Sequence, residues 1–353
     1  MIRDLNAQGA ITTPIPFDDG QVQPASLDLR LGEKAYRVRA AFMPGTGHTV
    51  AEKLDRFKLH EIDLTGSAVL ETGCVYIVPL LEALALPDQI SASANPKSST
   101  GRLDIFTRVL TDNAVEFDKV APGYRGPLYL EVSPRTFPIV VRTGSRLSQI
   151  RFRTGHALLD ATQLTALHET ETLVADDNAN ISDTGIALSV DLSGFDNNLI
   201  GYRGKHHTAV VDVDKPGAHD VLDFWEPIPA RGGRQLILDP DEFYILVSRE
   251  AVHVPPDFAA EMTPFDPLVG EFRVHYAGFF DPGFGHSAAG GTGSRAVLEV
   301  RSHEVPFVLE HGQIVGRLVY ERMMERPTAL YGTDLKSNYQ AQGLKLSKHF
   351  RAP

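Results

Sequence analysis

A single cysteine, Cys74, in 353 residues leaves no disulfide within the chain and excludes any multi-cysteine zinc site. Basic residues are in deficit, 34 Lys and Arg against 45 Asp and Glu, for a formal net charge of -11. That balance argues against a nucleic-acid partner, because phosphate backbones need a basic footprint. Long apolar runs are also missing. The longest, VYIVPLLEALALP, is broken by Pro79 and Glu82 and is too short to span a bilayer. The opening MIRDLNAQGA has no apolar stretch of the signal-peptide kind. These absences predict a cytoplasmic protein in a reducing compartment, without a membrane partner. Several catalytic signatures are absent as well: HExxH, HxH, CxxC, the G-x-S-x-G elbow and the Walker spacing. A zinc deaminase would need a His/Cys/Cys set, which one cysteine rules out. His206 and His207 read as surface histidines.

What is present is a β rhythm. Thirty glycines and 23 prolines are spread through the chain, with short Val/Ile/Tyr/Phe-rich runs between them. The runs 34–38, 74–79, 128–132, 137–142 and 148–153 predict strands in the first half. In the second half 235–239, 242–247, 295–300, 305–310 and 315–321 do so. Helical periodicity is clear only over 158–171. At roughly 150 residues per domain, the length suggests about two domains.

The two halves match each other. LETGCVYIVPLLEALALPDQISA starts at Leu70 and LDPDEFYILVSREAVHVPPDFAA at Leu238, 168 residues later. LYLEV and AVLEV place Glu131 and Glu299 at the same separation of 168. Between them VAPGYRG matches FDPGFGH at a separation of 160, from Gly123 to Gly283. The second copy is therefore shorter before this turn and longer after it, the extra residues being SAAGGTGS at 287–294. SLDLRLG (26–32) echoes SVDLSGF (189–195) more weakly. The shared register predicts a tandem duplication, 1–170 and 186–353, joined by the polar, turn-rich stretch 171–185.

Four constellations could carry chemistry. NPKSSTGRLDIF gathers Lys97, Ser98, Ser99 and Arg102 in one turn; hydroxyls, main-chain N–H groups and a guanidinium fork suit phosphate oxygens. A plain polar loop with a capping serine would read the same way. YAGFFDPGFG holds Asp281 in a turn that the first copy makes with Ala121, so the turn does not need the acid. Glu131 and Glu299 lie in strands apolar enough to be buried on both faces. There a carboxylate has a raised pKa and can shuttle protons near neutrality. An edge strand with its glutamate in water is the ordinary alternative, and the recurrence argues against it. The tail LYGTDLKSNYQAQGLKLSKHF reads as a frayed terminus or as a lid over an anionic ligand.

Together these segments resemble the dCTP deaminases of the dUTPase-like superfamily, in a tandemly duplicated long form. VQPASLDLRLGEKAYRVR is similar to the family's N-terminal strand. PKSSTGRLDIF is similar to its [RK]-S-S-x-x-R-x-G motif, with Asp104 where the family usually has glycine. AGFFDPGFG followed by AVLEV is similar to its A-G-x-I-D-P-G-[WF] turn and catalytic strand, and LYGTDLKSNYQAQG to its C-terminal Y-G…K-Y-x-x-Q segment.

The resemblance implies an all-β chain of two dUTPase-like distorted β-barrels (β-clip or jelly-roll units) with a short helical linker. It implies zinc-independent hydrolysis of the 4-amino group of dCTP, with magnesium on the triphosphate. Glu299 would activate the water. Lys97, Ser98, Ser99 and Arg102 would hold the phosphates. Ala277, Asp281 and Val297 would shape the base and sugar pocket, and Tyr331, Asn338, Tyr339 and Gln342 would close over it. The first copy keeps the phosphate loop, and the second keeps the aspartate, the glutamate and the tail. Since family sites form between subunits of a trimer, this split implies one composite site per chain in a homo-oligomer with pseudo-threefold rings. Glu131 reads as a remnant, retained to pair with Arg125 or Arg142. The rival readings are a dUTPase, a bifunctional deaminase–diphosphatase and a non-catalytic nucleotide-binding regulator.

Overall fold

In a computed structural model the described residues are all but 176–178, 195–197, 265–271, 275–277, 303, 333–342 and 352–353. The chain forms two compact units. One comprises Met1–His156, His206–Asp220 and His349–Pro353, and the other Ala157–Lys205 and Val221–Lys348. Both are built of strands, and the longest helix among the described residues is Ala161–Glu171.

In the first unit one sheet runs in the order Lys58–Asp63, Lys34–Val38, Val75–Ala85, Arg125–Pro134, Ile105–Thr111. A second runs Leu27–Arg30, Arg146–Thr154, Ile90–Pro96, Lys119–Val120, and a third joins Val211–Asp212, Ile139–Val141 and Ala68–Leu70. The second unit repeats the plan. Its sheets run Trp225–Pro229, Leu199–Gly204, Phe243–Val252, Ser294–Ser302, Phe272–Val274, and Ile181–Ser182, Gly185–Ser189, Ile314–Arg322, Phe258–Pro264, Phe279–Phe280, with a ribbon of Gln235–Leu238 and Phe307–Glu310.

The duplication is legible pair by pair. Glu131 lies opposite Ile77 and Glu299 opposite Ile245. Ile150 faces Ala94 and Leu318 faces Met262, and Ile139 faces Leu70 as Phe307 faces Leu238. All are separated by 168. Val120 opposite Ala92 recurs as Phe280 opposite Ala260, so the shift to 160 at the turn is real. The weaker echo is corrected. Leu27 faces Ile150 and Ile186 faces Leu318, so Asp28 matches Ala187 rather than Asp191. The two S-x-D-L strings are alike in letters, but pairing with the neighbouring strand fixes the register.

The domain boundary also differs from the sequence reading. The change of unit falls at His156–Ala157, and the helix and the stretch after it belong to the second unit. The helix starts at a capping box of Asp160 and Gln163, and Leu164, Leu173 and Val174 are buried in that unit's core. Residues 206–220 return to the first unit: Val211 pairs in parallel with Ile139, and Arg142 binds the carboxylates of Asp212 and Asp214. The chain end docks there too, with His349 Nε2 2.8 Å from the carbonyl of Val213 and Phe350 against Phe137. No described helix is long and apolar enough to cross a membrane.

The catalytic-strand candidates are buried on both faces, as expected. Ala296, Leu298 and Val300 enter the core of the second unit, and Val297 and Glu299 on the opposite face are each 5% exposed. Burying each large apolar side chain contributes about 1.5–3 kcal/mol. The strand is therefore fixed firmly enough to hold a carboxylate in an unfavourable place.

Candidate active site

The phosphate-loop candidate is a single helical turn, Ser98–Gly101, that ends the strand Ile90–Pro96. Lys97 sits extended before it, and its carbonyl accepts the N–H groups of Thr100 and Gly101. Ser99 and Arg102 are buried, Arg102 with 4% exposure, whereas Lys97 and Ser98 are half-exposed. Lys97 Nζ binds the carboxylate of the buried Asp28, which Arg146 also approaches at 3.7 Å. Asp104 has φ 55, in the left-handed region. That explains the glycine expected there, and aspartate is among the few other residues that tolerate it. Its side chain accepts the hydroxyl of Thr136 at 2.6 Å.

The two strand glutamates are placed alike in register. Glu131, 1% exposed, takes both Nε (3.0 Å) and Nη2 (2.6 Å) of Arg108 on Oε1, while Oε2 has no hydrogen-bond partner. Burial pushes the Glu131 pKa up, against the pull of Arg108. The guanidinium lies over the ring of Phe117 at 3.5 Å and beside Phe106 at 4.9 Å. The partner is thus neither of the arginines expected. Arg125 stands opposite Ala85, Arg142 is engaged by Asp212 and Asp214, and Arg108 comes from the facing strand, directly opposite Glu131. In sequence, the residue that follows Val274 is His275, where the first copy has Arg108 after Thr107; Thr107 faces Val132 as Val274 faces Val300. Glu299 shares its strand face with Val297 and Arg301.

Asp281, 7% exposed, begins a turn closed by the N–H of Phe284 on its carbonyl at 3.0 Å. Ala121 closes the equivalent turn in the first unit through Tyr124, so main-chain bonds make the turn without the acid. Gly283 has φ 97, and a Cβ there would lie 3.0 Å from Ala289 Cβ, Leu330 Cβ and the carbonyl of Tyr331. Tyr331 donates its N–H to Pro282 O at 2.9 Å, and its ring lies 5.7 Å from that of Phe284. The structure therefore brings together Asp281, Tyr331 and the inserted loop, whose Ser287–Ala289 forms one 3-10 turn. Ala277, Asn338, Tyr339 and Gln342 lie outside the described residues. Sequence reading missed Arg108, and also Asp118, which burial pushes up to about 7 beside Arg108. The missing signal was the strand Ile105–Thr111, whose pairing sets both.

Two family models match the chain: the 2'-deoxycytidine 5'-triphosphate deaminase (DCD) N-terminal domain over residues 1–156 and the C-terminal domain over 160–350. A dCTP deaminase of Haloarcula marismortui is 32% identical over 157 residues, 43% of this chain and 76% of its own length. A dUMP-forming dCTP deaminase of Beutenbergia cavernae is 32% identical over 138 residues, 39% of this chain and 68% of its own. Less than half of this chain thus spans most of either relative, as a duplication requires. The crystal structure of 2'-deoxycytidine 5'-triphosphate deaminase from Agrobacterium tumefaciens superposes with a TM-score of 0.90 at 76% identity, covering 95% of this chain and 97% of that one. The chain belongs to the 2'-deoxycytidine 5'-triphosphate deaminase family.

Proposed function

We propose that the protein hydrolyses dCTP to dUTP and ammonia without zinc. The observation that carries this reading is the 76% identity over 95% of the chain to a dCTP deaminase of the same two-unit length. The residues supply a coherent chemistry for it. Glu299 takes a proton from water, and the hydroxide adds to C4 of the cytosine. The glutamate then passes the proton to the departing amino group, so that water is consumed and ammonia leaves. A carboxylate in a strand buried on both faces is suited to this, because the strand fixes its position and shields it from bulk water.

Arg102, Ser98, Ser99 and Lys97 bind the triphosphate, Lys97 by exchanging the Asp28 carboxylate for phosphate oxygens. Asp281, Val297 and Ala277 form the base and sugar pocket, and the tail from Tyr331, with Asn338, Tyr339 and Gln342, closes it. Among the described residues no group of three His, Cys, Asp or Glu side chains is arranged to hold a metal. Magnesium would arrive on the phosphates and keep water and phosphate ligands. The protein acts as a homo-oligomer, following the split of phosphate loop and glutamate between the two copies.

A second reading, deamination coupled to release of diphosphate, is suggested by relatives named as dUMP-forming dCTP deaminases. The decisive assay incubates purified protein with dCTP, magnesium and a zinc-selective chelator, and follows ammonia and diphosphate. Ammonia alone supports the main reading, and both products support the second. Nucleotide binding without ammonia from any cytosine nucleotide would sink both.

A further inference from the structure

The units carry another duplicated pair of glutamates, Glu82 and Glu250, also 168 residues apart. Each carboxylate is held in one common way. The N–H of Arg30 donates to Glu82 Oε2 at 2.8 Å, and the N–H of Ser189 to Glu250 Oε2 at 2.7 Å. Arg30 and Ser189 are equivalent: Arg30 lies opposite Arg146, Ser189 opposite Ile314, and these partners are again 168 apart. Gln21 and Asn180 are equivalent as well, since Asp28 donates to the carbonyl of Gln21 as Ala187 donates to that of Asn180.

In the first unit the carboxylate is satisfied from within. Arg30 Nε and Gln21 Nε2 both reach Glu82 Oε1 at 2.8 Å. The rest of the guanidinium is gripped by Pro16 O, Thr13 Oγ1 and Ile15 O at 2.9, 2.9 and 2.8 Å, with Asp18 at 3.4 Å. Gln21, Arg30 and Glu82 are almost wholly buried. In the second unit both long side chains are shortened at once, Arg to Ser and Gln to Asn. Ser189 Oγ still reaches Glu250 Oε1 at 2.5 Å. In place of the guanidinium there is a cavity of about 170 Å³, lined by Glu250, Ser189, Asn180, Val174 and Ile314 among others, with Arg249 exposed at its mouth. At about 30 Å³ per water it has room for a small organic cation.

We infer that this cavity is a binding site for the guanidinium or ammonium group of a small monocationic molecule. Glu250 supplies the charge, as Glu82 does for Arg30. Ser189 and Asn180 supply oxygens at the wall, and Val174 and Ile314 give apolar cover for a short alkyl stem. The first unit displays the preferred occupant, a planar guanidinium that donates along its edge to a carboxylate.

The test titrates the full chain with methylguanidinium, methylammonium and urea, following backbone amide shifts and heat. Glu250→Gln and Ser189→Arg are compared with the natural chain. Saturable binding of methylguanidinium is expected, weakened roughly tenfold or more by Glu250→Gln. Ser189→Arg abolishes it, because the new side chain fills the cavity as Arg30 fills its counterpart. Tighter methylammonium would assign the site to ammonium groups within the same proposal. Absence of saturable binding, urea binding as tightly as the cations, or binding untouched by Ser189→Arg would overturn it. Ser189→Arg recreates an arrangement the fold already uses, so the test survives if Glu250→Gln fails to fold.

Discussion

Arg108 lies directly opposite Glu131 across the sheet and holds one of its oxygens with two donors, at 3.0 and 2.6 Å, while stacked on Phe117. A carboxylate so engaged is a poor general base. The lone pairs of Oε1 are committed to Arg108, whose guanidinium occupies the space beside the carboxylate. Glu131 and Glu299 are equal in register, and where the first copy has Arg108 the second has His275 in sequence. Glu299→Gln is therefore expected to lower kcat by about 10²–10⁴-fold, the usual contribution of a general base. Glu131→Gln should keep kcat within a few-fold. Ammonia release from dCTP by both variants decides it, and equal losses would refute the division of labour.

Removing Arg108 tests the other half of the same pair. Arg108→Met keeps the stem over Phe117 and deletes the charge, leaving Glu131 buried and unpaired. Breaking a buried pair from one side costs about 3–5 kcal/mol. The loss should shrink in the double variant Arg108→Met/Glu131→Gln, which leaves no charge behind. Urea unfolding of the two single variants and the double gives the coupling. A coupling near zero would show that the pair contributes nothing specific.

Much of this was readable from letters because β pairing keeps its register through duplication. The separation of 168 runs through the central strands of both sheets, and the shift to 160 at the Asp-Pro-Gly turn was visible as a gap. What stayed hidden depended on partners distant in sequence. Ile90–Pro96, ISASANP, is too polar to announce a strand, yet most of it is buried between Arg146–Thr154 and Lys119–Val120. Val211–Asp212 gives no sign that it pairs with Ile139–Val141 rather than with its own half. The helix Val50–Phe57 begins at a capping box of Thr49 and Glu52, a short signal in a segment with no predicted element. Arg108 could be assigned to Glu131 only once Ile105–Thr111 was known to face Arg125–Pro134.

Gly283 links the Asp281 turn to the root of the tail. A methyl group at φ 97 is strained by roughly 1–2 kcal/mol, and here it would also press on Ala289, Leu330 and Tyr331 at 3.0 Å. Gly283→Ala should lower Tm and, by displacing Tyr331, raise KM for dCTP more than it lowers kcat. Gly217→Ala, at φ 63 with no atom within 4 Å of the new carbon, carries the backbone strain alone. It should cost stability without changing KM.

Asp118 gives a pH signature. Burial raises its pKa from 3.8 to about 7, against the hydrogen bond from the N–H of Val109 at 2.7 Å. The unfolded chain keeps the lower value, so between about pH 4 and pH 7 the folded chain binds more protons. By linkage, stability contributed by the neutral acid is present at low pH and is lost as pH rises through 7. Asp118→Asn tolerates the φ of 60 and keeps an oxygen for Val109, without the titration. The variant should be more stable than the natural chain at pH 8 and similar at pH 5, by thermal unfolding in matched ionic strength. A constant difference across that range would exclude Asp118 as the source.

Asp104 carries two duties that substitution can separate. Its backbone is left-handed at φ 55, and its carboxylate, 1% exposed, accepts the Thr136 hydroxyl at 2.6 Å. Asp104→Gly loses the side-chain bond and relieves the backbone, whereas Asp104→Ala loses the bond and adds the strain of a Cβ in that region. Alanine should therefore destabilise by about 1–2 kcal/mol more than glycine. The carbonyl of Asp104 accepts the N–H of Arg135, and its N–H reaches Gly101 O in the phosphate turn, so the strain falls on Ser98–Gly101. If that turn binds the triphosphate, Asp104→Ala should raise KM for dCTP while Asp104→Gly leaves it near that of the natural chain. Equal KM values for all three, with the stability order intact, would separate the geometry of this turn from nucleotide binding.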